Sequence, residues 1–452
     1  MSGFVHWRHC SLVPIGTSTF ASIQTPNQVI MSSWPSASLD HFPASAGGIG
    51  ILIGILYVII CTNLRSWQSR AIASKFGYTT RASFASMTVD DAYQIQKWLA
   101  EQEFPKVFSA SVFFALFKTY GVPTISRLLV QTGHFTYRGD GTKASKRAAD
   151  TSVLLTNMVI GRPGSRRAMD AVARTNYLHS RYLKSGLISD DDMLYTLSLF
   201  TLEGMRWTDS YEWRGLTPME RCAMATFWKA LGEDLQITYS QLPSVQSGWS
   251  DGLHWLEELE AWSRQYEAGH IRPDDSNASL AESTVNLALY KVPSMFKPLA
   301  RQAMALLLSH RLREAMRIPH PSPVYQTTFS LFINFRKVLL RHFFLPRPYF
   351  LRHHYIEESP DPLTKRYHVS RWRFHPWYTS PSFKDRWGVK AWVSWVTGKQ
   401  ENCIGDAKFI PEGYLLPEVG PEEEVGRGLD DMENTVNLLA SKDRHRRPFA
   451  RA

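Results

Sequence analysis

The stretch RTNYLHSRYLKSGLISDDDMLYTLSLF, residues 174–200, indicates the fold class most clearly. Its first half places apolar residues at helical spacing and ends near Gly186, and glycine commonly follows the last turn of a helix. Ser189 and the three aspartates after it favour the start of a second helix, where a hydroxyl caps the backbone and negative charge suits the helix dipole. The stretch therefore predicts two helices joined by a short connection.

Comparable start and stop signals occur on both sides of this stretch. Thr88 precedes a valine and two aspartates, while Thr217 to Glu220 and Ser279 to Glu282 each have the spacing of a capping box. Residues 107–120 are apolar on nearly every side and stop before a Gly-Val-Pro turn, which predicts a buried helix. Because no sustained β alternation appears before residue 365, we expect an all-α fold, a multi-helix globular domain with one N-terminal transmembrane helix.

The membrane helix is predicted at residues 46–62, AGGIGILIGILYVIICT, which carry no charge. About 20 residues span a bilayer core, so this run lies at the short end of the range. Arg65, Arg70 and Lys75 follow it, and the positive-inside rule then places the bulk of the chain in the cytosol and the N-terminus in the lumen. A cleaved signal peptide fits less well, because a long Ser-, Thr- and Pro-containing tail precedes the run instead of a short basic region.

The remaining chain divides by composition. We expect a disordered lumenal tail (1–45), the membrane helix (46–62), a linker (63–87), a helical domain (88–400) and a solvated polar tail (401–452). Residues 325–344, YQTTFSLFINFRKVLLRHFF, mix apolar and basic side chains and form either a core helix with a basic rim or an interfacial helix on the bilayer. The glycosylation sequence at Asn277 would lie in the cytosol and stay unused.

Composition and charge exclude several classes of protein. The 452 residues carry 51 Lys and Arg against 41 Asp and Glu, a formal charge of +10. An apolar share of 44% excludes a disordered chain, and its dispersal excludes a polytopic membrane protein. The four cysteines are far apart, which argues against a disulfide framework or a structural zinc site. The basic residues accompany no nucleic-acid-binding motif, so we expect a solvated surface attracted to anionic lipid.

The densest polar cluster on a helical pattern is ARTNYLHSRYL, residues 173–183. Thr175, His179 and Tyr182 share one stripe of this helix. Arg174 lies about 140° round the helix from His179, so the two side chains could reach opposite parts of one broad ligand such as a porphyrin. The alternative is a buried histidine that is hydrogen-bonded to a neighbouring helix, with the arginine in an ion pair.

A second polar cluster comprises Lys146, Arg147, Asp150 and Thr151 on another predicted helix. Arg147 and Asp150 stand three residues apart, a spacing at which opposite charges pair on a helix surface. The spacing therefore allows a purely structural pair. The chain lacks the short motifs of dinucleotide-binding, P-loop, zinc-peptidase and serine-hydrolase sites.

Six stretches, taken in order, carry a resemblance to a known family. They are EFPKVFSASVFFALFKTYGVPTIS (103–126), KRAADTSVLL (146–155), RTNYLHSRYLKSGLISDDDMLYTLSLF (174–200), YEWRGLTPMERCAMATFWKALGEDL (211–235), GWSDGLHWLEELEAW (248–262) and LLRHFFLPRP (339–348). In these stretches the chain resembles the fungal ER-bound oxygenases of mycophenolic acid biosynthesis, which are grouped with the rubber oxygenases, or latex-clearing proteins. The resemblance covers most of the predicted helical domain, and the single N-terminal membrane helix agrees with it.

The resemblance implies an oxygenase that cleaves a carbon–carbon double bond in an isoprenoid chain, with O₂ as co-substrate and haem b as cofactor. Arg174 and His179 match an arginine and a histidine of the haem-site helix in rubber oxygenases. Residues 192–200 match the segment that holds their axial histidine, but no histidine stands there in this chain. Either His179 or a histidine of another helix, such as His254, then takes the axial role, or this branch binds haem differently or not at all.

We therefore expect a membrane-anchored oxygenase of fungal secondary metabolism, on the cytosolic side of the ER membrane, that cleaves the prenyl (farnesyl-type) chain of a meroterpenoid. Arg174 and His179 are the predicted catalytic residues. His179, Arg174 and His254 are the candidate cofactor-binding residues, with His179 as the metal ligand. Expected partners are the prenylated substrate, ER membrane lipid and other pathway enzymes, without nucleic acid. The alternative is a non-catalytic prenyl-lipid carrier or an ER scaffold for pathway enzymes.

Overall fold

The computed structural model describes residues 44–133, 135, 141–370, 372, 374–383, 387–388, 392, 405–443 and 445–449. The disordered tail predicted at 1–45 lies outside them up to residue 43. The helices are α1 Ala44–Phe76, α2 Arg81–Phe84, α3 Val89–Trp98, α4 Pro105–Thr119, α5 Pro123–Gln131, α6 Thr142–Ile160, α7 Arg166–Lys184, α8 Asp190–Tyr211, α9 Pro218–Asp234, α10 Gly252–His270, α11 Asp275–Ala288, α12 Lys297–Leu307, α13 His310–Ala315, α14 Pro323–His342 and α15 Leu429–Ala440. The described residues form no strand, only an isolated bridge between Tyr367 and Tyr414, so the all-α prediction is confirmed.

Short helical turns complete the secondary structure. A π-helical turn, Leu99–Glu103, continues α3. The 3₁₀ turns are Pro243–Val245, Ser294–Phe296, Tyr349–Leu351, Ala407–Phe409, Leu416–Glu418 and Glu422–Glu424. All of them connect or terminate the longer helices.

The N-terminal helix α1 is long enough to cross a bilayer. Within the described part of the chain, Gly47–Phe76 is the one helix whose length and apolar composition suit a membrane span. The helix extends beyond the predicted span, so much of the predicted linker 63–87 is helical. The chain divides into two compact units after Gly54, and the turns of α1 from Ile55 onward belong to the larger unit.

Local capping explains where several helices begin. The Ser189 hydroxyl accepts from the backbone N–H of Asp192 at 3.0 Å, as the sequence predicts for the start of α8. At α9, the Glu220 N–H donates to the Thr217 hydroxyl and the Thr217 N–H donates to the Glu220 carboxylate, so the predicted capping box is confirmed. The box predicted at Ser279 is wrong, because α11 has already begun at Asp275.

Long helices packed face to face form the core. Helix α4 runs along α8, α3 packs on α9, and α9 packs on α10. Lys118 of α4 is buried between Glu203 of α8, at 3.0 Å, and Glu267 of α10, at 2.7 Å. This charged contact joins the three helices across the core.

The C-terminal segment, residues 405–443 and 445–449, packs against the helical domain. The sequence predicts a solvated polar tail at 401–452, and the structure corrects that expectation. Apolar side chains of this segment are buried, among them Leu416, Val419, Met432, Val436 and Leu439. Helix α15 lies against α7. Its apolar residues Met432, Val436 and Leu439 recur at helical spacing and bury one face, although charged residues flank the helix in the sequence.

Candidate functional site

Helices α4 to α9 enclose a cavity of about 330 Å³, which we call the central cavity. This volume lies within the range of small-molecule sites, which are mostly apolar with a few polar groups. Its apolar walls include Leu128, Leu154, Met158, Leu178, Met193, Phe200 and Trp228. The polar groups among its walls include Arg147 and Thr151 of α6 and Thr175 and His179 of α7.

His179 faces the central cavity from the second half of α7. Neither nitrogen of its ring has a hydrogen-bond partner among the residues that the structure describes. Burial lowers the pKa of His179 to about 4, and the positive charge of Arg147 contributes in the same direction. The imidazole is therefore neutral at physiological pH, and the neutral ring is the form that binds a metal ion.

Arg147 reaches the central cavity from the neighbouring helix α6. Thr151, one turn further along α6, lines the cavity too, and its hydroxyl donates to the carbonyl oxygen of Arg147 at 2.9 Å. No described residue forms a hydrogen bond or ion pair with the Arg147 guanidinium. The guanidinium is half-buried at the wall of an apolar cavity, so it is suited to an anionic group of a ligand.

The structural pair that the spacing allows between Arg147 and Asp150 does not form. Lys146 donates instead to both carboxylate oxygens of Asp150, at 2.7 and 2.8 Å, and the Tyr378 hydroxyl donates to one of them at 2.6 Å. Burial raises the pKa of Asp150, and these two partners oppose that shift. Arg147 and Thr151, which the sequence places in the second polar cluster but not among the predicted site residues, line the central cavity. Their four-residue spacing was the available signal, because it places both on one helix face.

Arg174 is fully buried and points away from the central cavity, toward the C-terminal segment. Its guanidinium donates to the carbonyl oxygens of Val419 at 2.8 Å, Arg427 at 3.0 Å and Glu424 at 2.7 Å. These three bonds engage each nitrogen of the guanidinium. The structure therefore does not bring Arg174 and His179 onto one ligand, and it gives Arg174 a positioning role.

Arg174 positions a segment that closes one side of the central cavity. Pro421 and Glu424 of this segment belong to the cavity wall. The Glu424 carboxylate accepts from the Tyr177 hydroxyl at 3.0 Å and pairs with Arg181 at 2.8 Å. Through these contacts, α7 holds both the cavity-facing histidine and the segment that covers it.

His254, the other candidate ligand from the sequence, lies at the N-terminal end of α10 and outside the central cavity. Its Nε2 is 3.2 Å from the Glu258 carboxylate, and its Nδ1 accepts from the Ser250 backbone N–H at 3.2 Å. Both ring nitrogens therefore have partners within the same turn. This arrangement leaves neither nitrogen directed at the cavity that His179 faces.

A second cavity, of about 480 Å³, adjoins the central one. Both are lined by Leu116, Tyr120, Phe135, Thr151 and Leu155. The far wall of the second cavity is formed by residues 353–356 and by the aromatic segment around Trp372 and Trp377. The shared residues show that the two cavities lie side by side.

The donor set of the central cavity fits a haem. A neutral imidazole with unpartnered nitrogens is suited to iron, the Arg147 guanidinium is suited to a propionate, and the apolar walls are suited to a macrocycle. The described side chains fit less well to a metal ion that is held directly by several protein ligands. Across the described ranges, no group of three or more His, Cys, Asp or Glu side chains could hold a metal ion.

Known proteins of one kind match this chain over most of its length. A family model described as the catalytic domain of ER-bound oxygenase mpaB/B′ and rubber oxygenase matches residues 122–338. The ER-bound oxygenase mpaB′ of Penicillium brevicompactum is 39% identical over 401 residues, which cover 89% of this chain and 93% of that protein. The mpaB of the same fungus is 39% identical over 87% of this chain and 91% of its own. The mpaB of Penicillium roqueforti is 43% identical over 59% of this chain and 88% of its own.

Proposed function

The chain belongs to the family of the ER-bound oxygenases mpaB and mpaB′ and the rubber oxygenases, and from this premise we propose its reaction. It is an oxygenase associated with the ER membrane. We propose that it cleaves a carbon–carbon double bond in the prenyl, farnesyl-type chain of a meroterpenoid in fungal secondary metabolism, with O₂ as co-substrate. The single helix α1 would anchor it, with the helical domain in the cytosol.

The observation that carries this proposal is that His179 and Arg147 face one apolar cavity without protein partners among the described residues. Apolar cavities with a few polar side chains that have no protein partner are typical of ligand sites. An oxygenase needs such a site to bind its cofactor and to keep water from the reacting bond. The geometry therefore supports this cavity as the reaction site.

Haem b is the proposed cofactor, and when bound it would supply the iron at which O₂ is activated. His179 would hold the iron through one ring nitrogen, since its low pKa keeps the ring neutral. We assign to Arg147 the role predicted for Arg174, because the Arg174 guanidinium is already bound by three carbonyl groups. Arg147 would pair with a propionate or stabilise negative charge that develops on oxygen.

The two adjoining cavities would bind the prenyl chain. Each CH₂ group that leaves water contributes about 0.8 kcal/mol, so a farnesyl-type chain gains most of its affinity from apolar walls. Leu155 and Tyr120 line both spaces and would contact the chain where it passes from one to the other. Apolar contacts of this kind orient the chain and exclude water, but they do not select the head group of the substrate.

The membrane anchor agrees with such a substrate. A farnesyl-type chain partitions into lipid, so an enzyme held at the bilayer meets it at a high local concentration. Arg65, Arg70 and Lys75 follow the apolar part of α1, and the positive-inside rule favours the cytosol for the helical domain.

The decisive experiment incubates the full-length protein, supplied with haem, with a farnesylated aromatic compound in the presence and absence of O₂. We expect a shortened product that incorporates label from ¹⁸O₂, and we expect His179→Ala to abolish it. His254→Ala is the matched control and should retain activity, because His254 lies outside the cavity. Substrate that binds but is recovered intact under O₂ would contradict the proposal and identify a prenyl-lipid carrier.

A further inference from the structure

Helix α14 has the composition of a core helix, but none of its residues is buried. Its inner face packs on the end of α8. Phe329 lies against Tyr211 with their ring centroids 6.3 Å apart, and Arg336 donates to the Glu212 carboxylate at 3.0 Å. These contacts fix which face of α14 points away from the protein, and they exclude the core-helix alternative that the sequence left open.

Large apolar side chains cover the outer face of α14 and the turn that follows it. Phe332 is 60% exposed, Phe335 62% and Phe350 78%. Leu331, Val338 and Tyr349 are exposed with them. We call these six residues the α14 outer face. Exposing so much apolar surface to water is unfavourable. Such a surface is typical of a site that contacts an apolar environment.

The end of α14 contacts the membrane helix. The Tyr57 hydroxyl donates to the carbonyl oxygen of Phe343 at 3.0 Å, and the Arg65 guanidinium donates to that of Phe344 at 2.7 Å. Tyr57 lies within the predicted span 46–62, and Arg65 lies one turn beyond its end. The turn after α14 is therefore at the depth of the last turns of the span, where a bilayer changes from hydrocarbon to headgroups.

The sequence around α14 carries an excess of basic residues. Between residues 283 and 356 the chain carries eleven Lys and Arg residues and a single acidic residue, Glu314. Four of the eleven pair with carboxylates elsewhere in the chain, namely Arg301, Arg317, Arg336 and Arg352. On α14 itself, Lys337 and Arg341 have no such partner among the described residues. Apolar side chains that penetrate the surface, flanked by basic side chains that meet anionic headgroups, are characteristic of interfacial helices.

From the exposed apolar side chains, the contact with α1 and the excess of basic residues, we propose that the α14 outer face lies in the interface of the same bilayer that α1 spans. The protein would then contact the membrane twice, through a spanning helix and through a surface helix beside it. Two contacts would fix the orientation of the helical domain on the membrane, which a single helix leaves free to rotate.

This orientation has a consequence for substrate access, which rests on the proposed function, whereas the lipid contact itself does not. Residues 353–356 follow the exposed turn Tyr349–Leu351 and line the second cavity. The backbone N–H of His353 donates to the Glu101 carbonyl at 2.7 Å, and this bond holds the segment against the cavity. The bilayer and the second cavity are thus joined by a few residues, and a prenyl chain would reach the cavity from the lipid.

Photocrosslinking in vesicles tests the lipid contact. The full-length protein would carry p-benzoylphenylalanine at Phe332, Phe335 or Phe350, in vesicles of phosphatidylcholine with anionic phosphatidylserine, and adducts would be identified by mass spectrometry. Leu56 on α1 is the membrane reference, and Leu438 on α15, which is similarly exposed, is the aqueous reference. Each labelled variant must retain the helical circular dichroism of the parent.

We expect phospholipid adducts at the three α14 and turn positions at a level comparable with Leu56 and several-fold above Leu438. Adducts to a second copy of the chain would overturn the proposal, because the surface would then be a protein interface. Labelling at Leu56 but only background at Phe332, Phe335 and Phe350 would also overturn it while leaving the anchor intact. Background labelling at every position would reject the membrane span as well, and turnover in detergent would still test the oxygenase proposal independently.

Discussion

His179 of α7 and Arg147 of α6 face one cavity, and the guanidinium helps burial to keep the imidazole neutral. The two residues are 32 positions apart in sequence and lie on consecutive helices that pack against each other. Their proximity places a neutral nitrogen ligand next to a permanent positive charge. Such a combination suits a cofactor that has both a metal centre and carboxylates.

The first prediction concerns the pH dependence of stability in the cofactor-free protein. His179 has a pKa of about 4 in the folded state and near 6.5 in an unfolded chain, so the unfolded state binds more protons between these values. Stability should therefore fall as the pH is lowered from 6.5 toward 4, by about 1.4 kcal/mol for each unit of difference in pKa. His179→Gln should flatten this part of the profile in denaturant titrations. An unchanged profile in the variant would show that His179 is not held neutral.

The second prediction separates the positioning role of Arg174 from a catalytic one. Arg174→Met leaves the carbonyl groups of Val419 and Arg427 without their donor, while that of Glu424 still accepts from the Arg427 N–H. Each unsatisfied buried group costs about 1–3 kcal/mol. We expect a lower melting temperature and faster proteolysis of the C-terminal segment, with haem still bound at low temperature. Arg174→Lys should recover part of the stability. If the Arg174→Met variant kept full stability but lost the chemical step, Arg174 would instead have a catalytic role.

The third prediction concerns the passage between the two cavities. Leu155 lines both, so Leu155→Trp should obstruct a long chain there. A chain that is displaced from the second cavity loses about 0.8 kcal/mol for each CH₂ group that stays in water, so kcat/KM for a farnesylated substrate should fall roughly tenfold or more once about two such groups are displaced. A dimethylallyl analogue should be affected less. Leu187→Trp, at the half-exposed rim of the central cavity, is the matched control. Equal losses for both substrates would argue against one ligand that occupies both cavities.

The fourth prediction tests the orientation of the membrane helix by glycosylation. Thr17→Asn creates an acceptor sequence in the N-terminal tail, and Pro362→Asn creates one in an exposed part of the helical unit. In microsomes, only the first should receive a glycan if the N-terminus is lumenal. The reverse pattern would contradict the proposed topology. The natural sequence at Asn277 is not informative, because its amide is buried and donates to the carbonyl of Gly121 at 3.0 Å.

Helix boundaries that depend on neighbouring residues were predictable from the sequence. The caps at Ser189 and Thr217 involve residues three positions apart, and both are confirmed. The cap predicted at Ser279 was wrong for an equally local reason. The Asp274 carboxylate accepts from the Ser276 backbone N–H and starts α11 earlier, so Ser279 lies inside the helix. Where two capping residues lie close together, spacing alone does not decide between them.

The partners of buried charged groups were not predictable in the same way. Arg174 binds the carbonyl of Val419, which is 245 residues away in sequence, and no local pattern encodes that contact. Arg147 had an acidic residue at pairing distance, but Lys146 and Tyr378 engage that carboxylate instead. The helix that carries His179 was evident from its pattern. The residues that surround the imidazole depend on how six helices pack, and that packing is a property of the whole fold.

The most direct test of the account is an absorption spectrum of the detergent-purified, haem-supplied protein, with iron analysis of the same sample. We predict a Soret band with near-stoichiometric iron in the wild type and in His254→Ala, and loss of both in a folded His179→Ala variant. A well-folded wild-type protein without a Soret band, or a His179→Ala variant that keeps the band and the iron, would contradict the assignment of His179 as the haem ligand.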